Sequence, residues 1–323
     1  MDEALYGPDG FYRHQQPASH FRTSTSASAV FAEVIAVLAQ RVDESLRHPP
    51  SFDLVDVGAG DGRLLAGVLD HLPPDLQARS CATAVDLRDR PPSLPNTIEW
   101  TAGPPPSITG LVIANEWLDN LACDVVQVDS GQLRQVLVEP GTGNEVLGGP
   151  ATPAQRAWLA KWWPGLVDGD RCEVGLRRDE AWADVVRRLA GGVALAVDYG
   201  HRAGERRSGA FNGGTLAGYR LGRQVPPVPD GTCDITAHVA VDACAEAGRR
   251  AGAESTTVLR QREALDALGL SGTAPARELA HQDPAAYVRE LSRVGEIGEL
   301  RDAGSLGGFW WLLQTKGCAL TLT

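Results

Sequence analysis

Lysine is almost missing from this 323-residue chain: Lys161 and Lys316 are the only two, so arginine carries nearly all of the positive charge. Even so, 30 basic residues stand against 41 acidic ones, and the formal net charge is −11. A field of that sign repels phosphate backbones and anionic headgroups, so nucleic acid is not expected as a principal partner. Long apolar runs are absent too. None approaches the roughly 20 residues that span a bilayer, and no membrane insertion is expected. The opening M-D-E-A-L-Y-G is acidic where a secretory leader is basic and then apolar, which predicts a cytoplasmic protein. Cysteine is scattered. Cys81, Cys123, Cys172, Cys233, Cys244 and Cys318 form no C-x-x-C and have no histidine at ligand spacing, so buried reduced thiols are expected and a metal is not.

What remains is a composition 43% hydrophobic and 22% charged, enough for a sizeable core and unlike a disordered or collagen-like chain. The segment 28–42 repeats Val30, Val34, Val37, Leu38 and Val42 at helical spacing, behind serines at 24, 26 and 28 and ahead of Pro49-Pro50, which predicts a capped core helix. From residue 53, short β-branched runs alternate with helical stretches: Leu54–Val57, Ala82–Val85, Thr97–Trp100, Leu111–Ala114 and Val193–Val197. Such alternation implies βαβ units and a parallel sheet, hence an α/β fold. Two alternating runs around Asp129-Ser130-Gly131 predict a β-hairpin. A Pro/Gly-rich link follows, then a helical segment carrying Trp158, Trp162 and Trp163, expected to be core. Residues 200–233 read as loop, 238–303 mostly as helices, and 308–323, with Trp310-Trp311, as a closing strand or hairpin.

The strongest local signal is L-V-D-V-G-A-G-D-G-R-L-L at 54–65. Gly58, Gly60 and Gly62 let the backbone turn sharply between strand and helix and leave no Cβ between the chain and a ligand. A dinucleotide fingerprint would need a glycine at position 63, which is Arg63, so a dehydrogenase is disfavoured. The acidic strand end, Asp56, followed by G-x-G-x-G, resembles the first motif of class I S-adenosylmethionine (SAM) methyltransferases. Ala59 lies in the same turn. Asp86, closing the next run A-T-A-V-D, stands where an acidic side chain accepts from both ribose hydroxyls of a nucleoside.

The fourth run ends A-N-E-W-L-D-N-L, placing Asn115, Glu116 and Asp119 at the carboxyl edge of the sheet, where open α/β proteins bind ligands. If a helix begins there, Glu116 and Asp119 share one face. A carboxylate pair neutralises a guanidinium and fixes it by bidentate hydrogen bonds. The other reading is an acidic first turn complementing a helix dipole. The fifth run ends V-D-Y-G-H, bringing Asp198, Tyr199 and His201 to the same edge. Asp198 could accept from a substrate and His201 could take a proton. Tyr219 and Arg220 in G-G-T-L-A-G-Y-R, and Asp234, Thr236 and His238 in C-D-I-T-A-H-V, sit in irregular polar chain, where functional and turn-forming roles are equally plausible.

Taken in order, these residues resemble the MidA-like family of SAM-dependent methyltransferases, whose mitochondrial members are complex I assembly factors that methylate an arginine of a complex I subunit. The resemblance spans nearly the whole chain: Gly10-Phe11-Tyr12, Phe21 and Thr23 in H-F-R-T, Phe31 and Glu33 in V-F-A-E, the glycine motif, A-N-E-W-L-D-N-L, the hairpin, V-D-Y-G-H, G-T-L-A-G-Y-R, D-I-T-A-H-V and an aromatic-rich last strand. Relatives commonly carry proline where this chain has Ala59 and Ala122. The resemblance implies a class I Rossmann-like SAM methyltransferase sheet with an inserted hairpin and a mainly helical cap. The implied organisation is an N-terminal lid and helix over 1–50, a SAM-binding core over 51–200 interrupted by an insertion at about 123–190, and a cap over 201–323 that returns to a last core strand at about 308–323. SAM would be held by Thr23, Asp56, Gly58, Ala59, Gly60, Asp86 and Asn115. Glu116, Asp119 and Asp198 would be catalytic, and Tyr12, Tyr199, His201 and Tyr219 would contact the substrate. The implied substrate is an arginine of a protein partner, by family resemblance a respiratory complex I-type subunit, with a homodimer as a further expectation. Methylation of a small molecule or another side chain, and a SAM-binding assembly factor without turnover, are the alternatives.

Overall fold

The structure is a computed structural model and describes residues 1–14, 29–270 and 272–322. In chain order the strands begin Phe52–Val57 (β1), Ser80–Val85 (β2), Ile98–Thr101 (β3), Ile108–Asn115 (β4), Asp124–Asp129 (β5), Gln132–Val138 (β6), Glu145–Pro150 (β7) and Arg171–Val174 (β8). They continue Leu189–Asp198 (β9), Gly200–His201 (β10), Ala217–Arg220 (β11), Arg223–Val225 (β12), Asp234–Thr236 (β13), Val239–Ala240 (β14), Ser255–Arg260 (β15) and Trp310–Lys316 (β16). The chain forms two compact units, one from the described residues of 29–115, 188–197 and 254–322, the other from 1–14, 116–187 and 198–253.

The first unit is built on a seven-stranded sheet of order β15-β16-β9-β4-β1-β2-β3. The pairs β4/β9, β1/β4, β1/β2 and β2/β3 are parallel, and β15/β16 is antiparallel. Strands covered on both faces read as continuous apolar runs, as Leu111–Ala114 and Val193–Val197 do, and all of these residues are buried. The helix Ala29–Ser45 lays Val30, Phe31, Val34, Ile35, Leu38, Ala39 and Val42 into the same core, with Phe31 edge-to-face on Trp311 at 6.1 Å. That helix stops before the expected prolines, because Arg47 and His48 take left-handed conformations at φ 61° and 55°. The strand order reverses at β1, between β2 and β4, and it is beside the carboxyl ends of the strands at such a switch point that open α/β sheets bind ligands.

The second unit contains the antiparallel sheet β7-β6-β5-β8, the sheet β12-β11-β13 and the pair β10-β14. The hairpin expected around Asp129-Ser130-Gly131 is β5 and β6. Ser130 and Gly131 have φ 51° and 76°, the left-handed pair that a tight two-residue turn demands. Trp158 and Trp163 are buried with Val126, Cys172, Val174 and Ala243, and Leu5 and Phe11 pack against Cys233 and Ile235. Trp162 is only partly buried, beneath the ammonium of Lys161.

Several expectations need correction. The Pro/Gly-rich link holds β7, an edge strand whose Gly148, Gly149 and Pro150 hide its period, since an edge tolerates residues that a central strand does not. The presumed loop 200–233 carries β10, β11, β12 and the helix Ala203–Arg207, and β14 and β15 lie in the stretch 238–303 expected to be mostly helical, while the closing strand expected over 308–323 is β16. Strands of two to four residues are too short to show a period-2 pattern. Four of the cysteines are buried, but Cys81 is exposed and Cys123 half-buried; all six are free.

β4 and β9 approach closely through two glycines. A Cβ on Gly192 (φ 117°) would lie 2.0 Å from the Gly110 carbonyl oxygen, and one on Gly110 (φ 149°) would lie 2.2 Å from that of Asp53. Gly192→Ala is therefore expected to destabilise the protein by about 3 kcal/mol through backbone strain and overpacking. The check is a lowered midpoint of urea unfolding with unchanged denaturant dependence.

Candidate functional site

β1 runs into the turn Gly58–Gly62 and the helix Arg63–His71. Gly58, Gly60 and Gly62 have φ 75°, 67° and 77°, a conformation that a side-chain-bearing residue adopts only under strain, so the three glycines are required by the turn itself. The amides of Gly58 and Ala59 donate to the Val85 carbonyl, and that of Gly60 donates to Asp86 Oδ2 at 2.9 Å. β2 is thereby stitched to the glycine turn. Asp56, at the strand end, is buried, and burial followed by repulsion from Asp86 and Asp61 pushes its carboxyl up to about 7. Asn115 closes β4, next to β1 in the sheet. Thr23 lies outside the described residues.

Asp86 is not idle. Arg88 donates from its backbone amide to Oδ1 at 2.9 Å, and its guanidinium forks onto both oxygens, Nε to Oδ1 at 3.0 Å and Nη2 to Oδ2 at 3.1 Å. With the Gly60 amide, four donors converge on this carboxylate. A cradle that keeps Cβ atoms away and presents an acidic acceptor at the switch point fits a nucleoside with a ribose diol, and Arg88 stands in the acceptor's way.

The acidic side chains of the other unit form a second cluster. The chain enters it at Glu116, whose φ of 50° is uncommon for a glutamate, and continues in a turn, not the helix that would align Glu116 with Asp119. Asp198 explains the difference. Its Oδ2 accepts from the amides of Leu118 (2.9 Å) and Asp119 (3.1 Å), and its Oδ1 accepts from the Tyr199 amide (3.0 Å), so its carboxylate braces the turn instead of facing a substrate. Arg178, 2% exposed, fixes the rest. It donates to the carbonyls of Asp119 (2.7 Å), Leu121 (3.0 Å), Ala237 (2.9 Å) and His238 (3.0 Å).

Asp119 projects from this scaffold and is 3% exposed. Its Oδ2 accepts from the Tyr199 hydroxyl, while Oδ1 has no hydrogen-bond partner among the described residues. Burial pushes its carboxyl up to about 6, against the opposing pull of the Tyr199 hydroxyl. Burial, with the charges of Asp119 and Glu116, also raises Asp198 well above the usual carboxylate range. Tyr12, Tyr199 and Tyr219 belong to the same neighbourhood, each phenol raised by burial first and then by the carboxylates, Asp119 acting on all three.

His201 does not join them as a base. It packs against Trp163 and Phe211, with ring centroids 4.9 and 4.8 Å away. Its Nδ1 accepts from Arg206 Nη1 at 3.0 Å, so the proton of the neutral ring sits on Nε2 and no lone pair remains to take another. Burial and Arg206 depress its pKa to about 3. Sequence reasoning missed Arg178, one of two adjacent arginines in the first turn of the helix Leu176–Arg188, and Asn120, whose amide donates to Asp234. Among the described residues no group of three or more His, Cys, Asp or Glu could hold a metal, and no helix is long and apolar enough to cross a membrane.

A mostly parallel sheet of this order, with a glycine turn after its first strand and an acid after its second, defines a class I SAM methyltransferase-like fold. The chain matches, over residues 30–259, the family described as "Putative S-adenosyl-L-methionine-dependent methyltransferase", and it belongs to that family. Among solved structures it is similar to a candidate methyl transferase of Burkholderia thailandensis bound to S-adenosyl-homocysteine, at 25% identity and a TM-score of 0.82, covering 99% of this chain and 87% of the other. A native structure of an uncharacterized protein of the same superfamily and organism gives 25% identity, a TM-score of 0.81 and the same coverage. No curated protein matches the chain. The protein is thus a SAM methyltransferase by family, with SAM as its cofactor.

If Asp86 receives the ribose, variants at Arg88 and at Asp86 have opposite effects. Arg88→Ala frees the acceptor and is expected to tighten SAM binding several-fold, whereas Asp86→Ala weakens it at least tenfold, about 1.4 kcal/mol or more. Calorimetric titration with SAM measures both, and a weaker Arg88→Ala would make Arg88 part of the cofactor site.

Proposed function

We propose that the protein transfers a methyl group from SAM to an arginine side chain of a protein partner, in the manner of the MidA-like family. The observation that carries this reading is the buried carboxylate of Asp119, held through one oxygen by Tyr199 and without a partner on the other. A buried anion with no matching cation is costly, and a guanidinium supplies both the charge and the donors that it lacks. A respiratory complex I-type subunit as the substrate belongs to the same family reading, and a homodimer and a cytoplasmic location are proposed beside it.

Residues of the glycine turn, Asp56, Gly58, Ala59 and Gly60, with Asp86, Asn115 and Thr23, would hold the cofactor. Bound there, SAM supplies a methyl on a sulfonium, which leaves as a neutral sulfide with the C–S bonding pair. The protein's part is positioning. Asp119 orients the guanidinium so that one nitrogen presents its lone pair, which forms the new N–C bond, and Asp119 Oδ1 receives the proton that this nitrogen sheds. Glu116 adds negative charge at the entry to the turn and helps to hold the cation. Asp198 keeps the amides of Leu118 and Asp119 in place, and Tyr199 fixes the carboxylate plane. Tyr12 and Tyr219 would contact the substrate, and His201, neutral and packed against Trp163 and Phe211, would support the aromatic cluster to which it belongs.

Two outcomes test this. Glu116→Gln should leave SAM affinity unchanged in calorimetry and lower methyl transfer to arginine peptides at least tenfold, measured by mass spectrometry of the products. Full transfer by that variant would reduce Glu116 to a turn residue. The rate should also rise with pH through about 6, because burial raises the Asp119 carboxyl to that value and only its ionised form holds the cation and accepts the proton. A rate independent of pH between 5 and 8 would remove Asp119 from the step. SAM binding without any methylated product would favour the assembly-factor reading.

A further inference from the structure

Glu116 and Asp119 were the carboxylate pair suggested by spacing, but the turn between them breaks the helical geometry on which that pairing depended. Another acid stands closer in chemistry to Asp119. Asp234, at the start of β13, is 0% exposed. Its Oδ1 accepts from the Tyr12 hydroxyl at 2.9 Å and from the Asn120 side-chain amide at 3.0 Å. Its Oδ2 has no hydrogen-bond partner among the described residues. Asp119 repeats the pattern, with one oxygen held and the other open.

We propose that Asp234 is a further carboxylate of the substrate site, its Oδ2 and Asp119 Oδ1 together receiving the cationic side chain to be methylated. The inference rests on the arginine reading above and names a residue which that reading did not contain. Several observations tie the two acids together. Asn120, which donates to Asp234, is the residue after Asp119. The amide of Ala237, three residues beyond Asp234, donates to the Asp119 carbonyl at 3.2 Å. Tyr219 faces Asp234 across the β11/β13 ladder, and its phenol is raised by burial and then by both carboxylates.

The charge balance points the same way. Arg178, a buried cation whose charge acts on Asp119, has its donors on four main-chain carbonyls and makes no hydrogen bond to either carboxylate. Burial, and after it the charge of Asp119, pushes the Asp234 carboxyl up to about 7, so at rest the pair tends to keep a proton. No metal-binding group is present among the described residues to take its place. A guanidinium has five donors in a planar fork and can serve two separate carboxylate oxygens at once, which an ammonium does with less geometric fit. Tyr12 and Asn120 would then act as positioning residues, aiming Asp234 through its other oxygen.

The test uses the full-length protein saturated with S-adenosyl-homocysteine, so that binding is read without turnover. The probes are N-acetyl-L-arginine methylamide, its lysine counterpart and the neutral norleucine counterpart, titrated by calorimetry into wild type and Asp234→Asn, with thermal midpoints measured at pH 8. The expected result is a wild type that prefers the arginine probe and an Asp234→Asn variant that binds it at least tenfold more weakly. The variant's thermal midpoint should be no lower than wild type, because amide replacement removes a buried charge while keeping an oxygen for Tyr12 and Asn120. Unchanged arginine binding together with a lowered midpoint would overturn the proposal and make Asp234 a structural pin. A wild type that prefers the lysine probe, with that preference lost in Asp234→Asn, would overturn the arginine reading and leave Asp234 as a cation-binding carboxylate. A wild type that binds the neutral probe as well as either cation would overturn both.

Discussion

Arg178 is buried like a residue of the core, yet its guanidinium pairs with no acid among the described residues and reaches instead for the carbonyls of Asp119, Leu121, Ala237 and His238. Those four carbonyls belong to the two stretches that carry the acidic cluster, the turn after β4 and the chain around β13 and β14. Buried main-chain acceptors must be satisfied, and one planar cation satisfies four at once. The same geometry keeps the guanidinium from neutralising Asp119 or Asp234 directly. Both carboxyls remain raised by burial, that of Asp119 against the pull of the Arg178 charge. A fold concerned only with stability would have paired these charges or replaced them with apolar side chains.

Each unit therefore shows its own signature of function. In one, positive-φ glycines and an acid after β2 build a polar cradle on an otherwise apolar sheet. In the other, acids are buried with an oxygen left over, a local cost that ordinary packing does not explain. The chain passes between the units at Asn115–Glu116 and Val197–Asp198, the ends of the neighbouring strands β4 and β9, whose register pairs Asn115 with Val197. Glu116 takes its unusual backbone conformation at the first of these crossings, and Asp198 braces the turn from the second.

Some of this was legible in the residues alone. Leu54–Val57 and Leu111–Ala114 announce buried parallel strands, Gly58-Ala59-Gly60-Asp61-Gly62 announces a turn that needs left-handed backbone, and Ser130-Gly131 announces a hairpin. Each of these signals is local: a side chain too bulky or too polar for the position shows itself within a few residues. Asp119 was legible as an acid at a strand end, though not its state. β7 was hidden by glycines and a proline at an edge, and β10 to β14 were too short to carry a period. Asp198 resembled a catalytic acid because nothing in V-D-Y-G-H reveals that three amides consume its oxygens.

The sequence by itself determined the α/β class, the glycine turn and its acidic partner, and the placing of acids at strand ends, because these follow from backbone conformation and from the period of burial along one segment. Only the tertiary structure decided which acids are braces and which are left open. That depends on hydrogen bonds between residues far apart in the chain, 59 positions from Arg178 to Asp119 and 114 from Asn120 to Asp234, and on the burial that makes an unmatched charge matter.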